Sequence, residues 1–310
     1  MKEKAINSSS GKLWRGIAKN WQLYLMFLPV LAYFIIFHYV PMYGVQIAFK
    51  DFAGSLGIWD SPWVGFKHFT RFFNGSNCGT IIWNTVSISL YSLAVGFPVP
   101  ILLAVMLNEV RGKLFKKTVQ TVTYAPYFIS MVVMAGMIML FLSPSSGIIN
   151  VARKAMGLEA INFMYESKYF KTIYVLTGVW QNAGWGSIIY LSALAGIDPA
   201  LHEAAVIDGA SRMRRIWHIN IPGILPTVCI MLIMNCGSLM SVGFEKVFLL
   251  MNDLNRSSAE VISTYVYKVG LTQSQYSFST AINLFNSVIN FITLVTVNTI
   301  VKKMDQTSLF

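Results

Sequence analysis

Six long apolar segments dominate this chain of 310 residues, and none of the six contains an Asp, Glu, Lys or Arg. A helix needs about 20 apolar residues to cross the roughly 30 Å hydrocarbon core of a bilayer. Charged residues make up only 12% of the chain, whereas soluble domains carry about 25%. We therefore predict an all-α integral membrane protein with six transmembrane helices, at residues 21–40, 81–107, 118–142, 172–195, 226–242 and 280–301. Pro98 and Pro100 predict a kink in the second.

The basic residues lie between these segments rather than in one patch, although the formal net charge is +11. Lys and Arg number 14 in four short stretches on one side, namely 1–20, 108–117, 196–225 and 302–310. They number 10 on the other side, in the longer loops 41–80, 143–171 and 243–279. Because basic residues concentrate in short cytoplasmic loops, we expect both termini in the cytoplasm. The charge then reports topology and predicts no nucleic-acid partner.

No pattern typical of an enzyme or a metal site occurs in the sequence. It lacks a GxxxxGK[ST] phosphate loop, an HExxH and a GxSxG. Its three cysteines form neither a CxxC pair nor a disulfide framework, and we expect Cys229 and Cys236, which share an apolar segment, to pack inside the protein. We predict no catalytic residue, no metal and no cofactor in this chain. The first apolar segment lacks a cleavage signature, so we expect an uncleaved span.

Polar side chains inside the predicted spans are amides, hydroxyls and indoles. Amides donate and accept hydrogen bonds, and aromatic faces stack on sugar rings, so such residues suit a neutral, hydroxyl-rich ligand. The alternative is that they join helices by hydrogen bonds. The candidates for a substrate path are Trp180, Gln181, Asn182, Trp185, Asn235, Ser238, Asn283 and Asn286. In the first outer loop, Trp59 and Trp63 fit either interface anchors or a docking surface.

The stretch between the fourth and fifth spans begins with a helix-start signal. Asp198 followed by Pro199 favours a capped helix, and Gly209 favours its end because glycine accepts the left-handed conformation. The small residues Ala204 and Ala205 would let a partner groove close around this helix. An amphipathic helix lying on anionic lipid is the alternative.

A second short helix follows in the same stretch. Ser211 can cap it, and the helix carries basic residues at Arg212, Arg214 and Arg215. Pro222 and Pro226 predict the start of the fifth span. The sequence thus indicates a helix, a sharp turn and another helix held at the membrane surface.

This stretch resembles the EAA signature of binding-protein-dependent ABC importer permeases, which reads EAA, then Gly, then Ile-x-Leu-Pro. Glu203, Ala204 and Ala205 match, and Gly209 lies six residues after Glu203. Ile219 lies ten residues after Gly209 and, with Ile221 in place of Leu, precedes Pro222.

The resemblance extends along nearly the whole chain. Residues 41–52 and 63–69 are similar to the first external loop of the LplB-type, MalF-like permeases of sugar and polysaccharide importers.

The resemblance implies that the loop 196–225 holds a coupling helix that inserts into an ATPase. The implied coupling residues are Glu203, Ala204, Ala205, Asp208, Gly209, Ala210, Arg212, Arg215, Ile219 and Pro222. It also implies three kinds of partner: a second homologous permease, two ATP-binding cassette subunits that bind ATP and Mg, and an external solute-binding lipoprotein.

We therefore expect a permease domain, residues 21–301, of an ATP-driven importer that moves a carbohydrate across the cell membrane by alternating access. The resemblance indicates an oligosaccharide or polysaccharide fragment as the substrate. Charge-free spans favour neutral groups, and an acidic glycan stays open. Two alternatives remain, an ion-coupled secondary carrier and a membrane scaffold without transport. The charge-free spans count against a proton-coupled carrier.

Overall fold

The computed structural model describes residues 19–304 and Ser308, and every regular element within them is a helix. The β-contact found there is an isolated antiparallel bridge between Lys50 and Trp63. A helix bonds its own peptide groups, which hydrocarbon requires of a spanning segment. The prediction of an all-α fold is confirmed. Most of the predicted N-terminal segment 1–20 and part of the tail 302–310 lie outside the described residues.

Fourteen of the helices in this part of the chain are labelled here in chain order. They are α1 (Trp21–Phe34), α2 (Lys67–Phe73), α3 (Cys78–Gly96), α4 (Pro98–Glu109), α5 (Lys113–Tyr124), α6 (Met131–Phe141), α7 (Ile148–Ala155), α8 (Ser167–Ala195), α9 (Pro199–Ile207), α10 (Arg212–Arg215), α11 (Ile221–Gly237), α12 (Phe244–Leu250), α13 (Ile262–Tyr267) and α14 (Tyr276–Lys303). Single helical turns occur at Val40–Met42, Gly57–Asp60 and Arg256–Ala259. Tighter 3-10 turns lie at Tyr43–Phe49 and Ala125–Phe128, and wider π turns at Ile35–Tyr39, Ile216–Asn220 and Lys268–Thr272.

The chain divides into two compact units, Met1–Lys67 and His68–Phe310. In the first unit, α1 continues through helical turns to Phe49, and no residue of α1 is buried. The loop that follows is organised by Lys50, whose Nζ donates to the carbonyls of Ile58 at 2.6 Å and Trp59 at 3.0 Å. The same ammonium group lies 4.8 Å from the centroid of the Trp63 ring.

In the second unit, α8 is the central helix and packs against α3, α4, α5 and α11. Its buried side includes the small residues Gly184 and Ser187, which allow neighbouring backbones to come close. In the same unit, α14 packs against both α11 and α13.

Four apolar clusters hold the second unit together. One contains Ile88, Met134, Phe170 and Val247, and so joins α3, α6, α8 and α12. The other three join α2, α3, α13 and α14, then α4, α8 and α11, and finally α11 and α14. All three cysteines are free and buried, as expected for Cys229 and Cys236.

Within the described residues, four helical runs are long and apolar enough to cross a membrane: Trp21–Phe49, Cys78–Glu109, Arg212–Gly237 and Tyr276–Lys303. Helix α8 has 29 residues, roughly 43 Å at about 1.5 Å per residue, but is not one of them. Its polar and small residues, among them Gln181 and Asn182, lower its apolarity. The predicted fourth span is therefore helical but less apolar than the others.

The third predicted span, 118–142, is not the single continuous helix that its apolar sequence predicts. Helix α5 and the 3-10 turn meet α6 at a bend of 104°. The bend follows Pro126, and Ser130 begins the new helix because its Oγ accepts from the Val133 N–H at 3.4 Å. Counted as one span, the bent pair brings the number of candidates in the described residues to five. The second predicted span is interrupted at Phe97, just before Pro98.

Gly184 generates a stability prediction, since a Cβ at this position would collide with the backbone of Thr123 and Tyr124. We expect Gly184→Ala to destabilise the protein by about 1–3 kcal/mol, the usual cost of overpacking. The apparent melting temperature of the detergent-purified protein should fall by several degrees. The matched control is Gly136→Ala in α6, where a Cβ has no neighbour within 4 Å. Equal melting temperatures for the two variants would contradict the close approach at Gly184.

Candidate functional sites: a capped helical loop and an internal cavity

The loop between α8 and α11 begins with a helix that is closed at both ends. At its start, Asp198 Oδ1 accepts a hydrogen bond from the Ala200 N–H at 2.9 Å. At its end, Gly209 has φ +74°, and its N–H donates to the Val206 carbonyl at 3.0 Å. The Ala210 N–H donates to the Ala205 carbonyl at 2.8 Å. This pair of bonds is a Schellman motif, and the helix has the ends that the sequence predicted.

The second half of the loop differs from the prediction. Ser211 does cap α10, since its Oγ accepts from the Arg214 N–H at 3.4 Å. However, α10 continues through the π turn Ile216–Asn220 directly into α11. The helical run that contains the fifth predicted span therefore begins at Arg212 rather than near Pro226. Pro222 lies in the first turn of α11, and Pro226 lies inside that helix.

Helix α9 presents exposed apolar residues and is uncovered within this chain, since none of its residues is buried. Leu201 and Val206 are exposed, and Ile207 is 85% exposed. Beside α9 is a hollow of about 330 Å³, lined by Ala205, Asp208, Ala210, Arg215 and Ile219 together with Arg214 and His218. Of the predicted coupling residues, the other five are exposed and do not line the hollow: Glu203, Ala204, Gly209, Arg212 and Pro222. Arg214 was predicted only as a basic residue of the second short helix, and His218 was not among the predicted site residues.

A buried hydrogen bond connects this loop to α4. Asn220, at the end of the π turn, is fully buried, and its Nδ2 donates to Glu109 Oε1 at 3.2 Å. Glu109 is the last residue of α4. The start of α11 and the end of α4 are thus tied together, a contact that the sequence pattern did not indicate.

The second site is a cavity of about 720 Å³. Its walls come from α3, α4, α8 and α11, from Met131 at the start of α6, and from the segment that leads from α11 into α12. Five of the predicted path residues line it: Gln181, Asn182, Trp185, Asn235 and Ser238. Serine and tyrosine side chains missed by the sequence analysis line it as well, namely Ser89, Ser92, Ser241, Tyr174 and Tyr190.

Trp185 forms an aromatic platform at this cavity. Its ring stacks on Tyr127 with a centroid distance of 4.6 Å and an interplanar angle of 4°, and Phe128 meets it edge-on. Trp185 and Tyr127 both remain exposed. An open, flat aromatic pair of this kind can stack on the apolar face of a sugar ring.

Several polar residues in the predicted path have structural partners. Gln181 Nε2 donates at 3.3 Å to the Ile129 carbonyl, at the break before α6. Asn182 and Asn235 donate to carbonyls of their own helices, those of Gly178 and Met231.

The other three predicted path residues, Trp180, Asn283 and Asn286, do not line this cavity. Asn290, at helical spacing from the two asparagines, holds the segment after α11. Its Oδ1 accepts from the Met240 N–H at 2.8 Å, and its Nδ2 donates to Ser241 Oγ at 2.9 Å.

Two charged residues also line the cavity, although both belong to a predicted outer loop. Glu245 and Lys246 lie at the start of α12, outside the candidate spans. Lys246 is only 4% exposed, and burial lowers the pKa of its ammonium group to about 8. The cation therefore still predominates at neutral pH. The sequence feature that points to a place near the cavity is that Glu245 and Lys246 closely follow the fifth predicted span.

The chain is similar to known proteins along nearly its whole length. It is 42% identical over 307 residues to protein LplB of Bacillus subtilis (strain 168), covering 98% of this chain and 96% of LplB. It is 44% identical over 288 residues to the polygalacturonan/rhamnogalacturonan transport system permease protein YteP of the same organism, covering 93% of this chain and 90% of YteP.

A solved structure has the same fold. It is a bacterial ABC transporter involved in the import of the acidic polysaccharide alginate, and one of its chains superimposes with a TM-score of 0.87 at 41% identity. The match covers 94% of this chain and 99% of that one. A second structure, the alginate transporter in complex with an alginate pentasaccharide-bound periplasmic protein, gives a TM-score of 0.89 at 40% identity over 96% of this chain and 100% of that chain.

Residues 96–306 match the sequence pattern described as binding-protein-dependent transport system inner membrane component. This match spans more than half of the chain, and the full-length relatives agree with it. The chain belongs to the family of binding-protein-dependent ABC importer permeases.

Proposed function

We propose that this chain is one permease subunit of an ATP-driven importer that carries an oligosaccharide or polysaccharide fragment across the cell (cytoplasmic) membrane. The observation that carries the proposal is the full-length likeness to a chain of the alginate transporter, at 41% identity and a TM-score of 0.87. The cavity supports it independently, because hydroxyls, amides and an exposed Trp185–Tyr127 stack suit a sugar.

The assembly in this proposal contains a second homologous permease, two ATP-binding cassette subunits and an external solute-binding lipoprotein. ATP and Mg are bound by the cassette subunits, and this permease has no catalytic residue. The domain 21–301 crosses the bilayer six times, counting α8 and the bent α5–α6 pair as spans. Both termini face the cytoplasm, in accordance with the 14 basic residues in the short segments on that side.

In this proposal α9 is the coupling helix. Its exposed apolar residues Leu201, Val206 and Ile207 would be buried in a groove of the cassette subunit, and the nearby Asp208, Arg212 and Arg215 would form its charged border. Closure of the cassettes on ATP would then displace α9. Transport needs a free-energy difference between inward- and outward-facing states that ATP binding can reverse.

The backbone of the loop supplies a route for that displacement. The Schellman turn fixes the angle between α9 and α10, and α10 is continuous with α11, one wall of the cavity. The Asn220–Glu109 hydrogen bond links the same point to α4, another wall. A displacement of α9 would therefore move α11 and α4, two walls of the cavity, at the same time.

The importer proposal is tested by purifying the tagged chain and reconstituting what accompanies it into proteoliposomes. We expect a second permease and a cassette ATPase to co-purify, and glycan uptake to require both ATP and the external binding protein. A lone protein that moves solute down an ion gradient would instead identify a secondary carrier. A lone protein without transport would identify a scaffold.

Gly209 provides a test of the coupling role. Its φ of +74° is the left-handed region, and a Cβ there meets nothing within 4 Å, so the cost of substitution is conformational. A β-branched residue in this conformation is strained by about 1–2 kcal/mol, whereas asparagine tolerates it. We expect Gly209→Val to lower ATP-driven uptake several-fold and to reduce the stimulation of ATP hydrolysis by substrate. Gly209→Asn should retain most of both activities.

The comparison of the two variants separates conformation from contact. Wild-type uptake and substrate-stimulated ATP hydrolysis by Gly209→Val would refute the coupling role of the turn. If Gly209→Asn fails as severely as Gly209→Val, then the absence of a side chain, rather than the backbone conformation, is what the site requires.

A further inference from the structure

Lys246 is a buried cation in the wall of a cavity whose other described lining residues, apart from Glu245, are uncharged. Its Nζ donates to the Tyr174 carbonyl at 2.8 Å and lies 4.9 Å from the centroid of the Tyr174 ring. Gly178, one turn further along α8, leaves space at the ammonium group, since a Cβ there would come within 3.4 Å of Nζ. An ammonium group has three donors, and this backbone bond uses one of them.

The positive charge of Lys246 has no carboxylate partner among the described residues. The ion pairs found there join other residues. Glu245 is adjacent in sequence and lines the same cavity, but it forms no ion pair with Lys246. Burying an unpaired charge is costly, so a ligand that supplies a carboxylate would stabilise Lys246 in the cavity wall.

The neighbours of Lys246 indicate which ligand would supply the missing charge. Ser89, Ser241 and Asn182 line the cavity with it, and hydroxyl and amide groups of this kind can hydrogen-bond sugar hydroxyls. Trp185, with Tyr127 stacked on it, offers an aromatic face. A carboxylated sugar unit combines an anion, hydroxyls and an apolar ring face. A phosphate group would carry up to two negative charges. Lys246 is the one cation in the described lining of the cavity and Glu245 would repel a phosphate, so the lining favours a carboxylate over a phosphate.

A second lysine lies one turn before Tyr174 on α8. Lys171 Nζ donates to Ser87 Oγ at 2.7 Å and lies 5.8 Å from the Trp83 ring centroid. In the proposed topology this end of α8 faces outward, so Lys171 lies outward of the cavity. An acidic chain entering from outside would meet a cation before it reaches Lys246.

We propose that the substrate is an acidic glycan fragment built from uronate units and that the Lys246 ammonium group binds one of its carboxylates inside the cavity. This inference rests on the importer function proposed above and adds the substrate class and a specificity-determining residue. The same chemistry is consistent with the solved transporter of the acidic polysaccharide alginate, although Lys246 itself carries the argument.

The test uses the complete importer in proteoliposomes, with its binding protein, and compares uronate oligosaccharides with the same oligosaccharides after reduction of their carboxylates to alcohols. Oligogalacturonates and oligomannuronates serve as the acidic probes, and a hexose phosphate serves as a differently charged one. We expect ATP-driven uptake of an acidic oligosaccharide, with the hexose phosphate inactive. Lys246→Gln should raise the half-saturation concentration for uptake of the acidic oligosaccharide about tenfold or more, because it removes a charge-assisted hydrogen bond.

Three further variants keep the test specific. Lys246→Gln preserves a donor for the Tyr174 carbonyl without the charge, and Lys246→Arg should restore uptake because it preserves the charge. Lys246→Met removes both the charge and the hydrogen-bond donor. The difference in uptake between Lys246→Met and Lys246→Gln therefore measures the contribution of the hydrogen bond to the Tyr174 carbonyl. Lys168→Met is the control, since Lys168 is exposed, pairs with Glu166 and does not line the cavity. Assembly of each complex is checked by size-exclusion chromatography.

The outcomes separate this inference from the importer proposal. Wild-type uptake of the acidic probe by Lys246→Gln would refute the role of Lys246. ATP-driven uptake of the reduced or phosphorylated probe alone would refute the uronate substrate while leaving the importer intact. Absence of ATP-driven uptake of every glycan by the wild type would refute the importer proposal itself.

Discussion

A peptide group placed in hydrocarbon without a hydrogen bond costs several kcal/mol, and helices satisfy this requirement only where they are unbroken. The described chain breaks its helices in the membrane-crossing region and satisfies the freed groups with polar side chains. Gln181 donates to the Ile129 carbonyl at the 104° bend, and Asn290 bonds the Met240 N–H after α11. Near the start of α3, Asn84 Nδ2 donates to the Ser257 and Glu260 carbonyls. Several amide side chains in the predicted spans therefore hydrogen-bond backbone groups where helices are broken, although in the sequence they look like ligand-binding residues.

Local signals in the sequence were sufficient for one of the two sites. The ends of α9 were predictable because a cap and a left-handed glycine act within a few residues, as Asp198 and Gly209 do here. The helical continuity from α10 into α11 was not predictable from local signals. Pro222 and Pro226 predict the start of a span, whereas the helix incorporates both prolines after a π turn. The break at Pro126 was missed because apolarity continues through it, although Ser130 is a cap signal. Lys246 was missed as a cavity residue because only packing brings α12 against α8.

The two sites are connected by helices rather than by a loop. Helix α11 begins beside the hollow at α9 and ends at the cavity, and α4 joins it through Asn220 and Glu109. Rigid elements that touch both sites are suited to carrying a displacement, since packed helices move as bodies. In the proposed mechanism the cavity responds to the cassettes for this reason. The charge of the glycan concerns only what the cavity binds, so coupling through α9 does not depend on an acidic substrate.

The transport mechanism proposed here depends on the docking of α9 into an ATPase. Its most direct test is site-specific cross-linking from Glu203→Cys, an exposed position. The native cysteines Cys78, Cys229 and Cys236 are buried, so a polar thiol cross-linker should react selectively. We expect a cross-linked product with the cassette ATPase in the purified importer, and the yield of this product should change when ATP is added. A product that never contains the ATPase, while ATP-driven uptake proceeds, would refute the docking of α9.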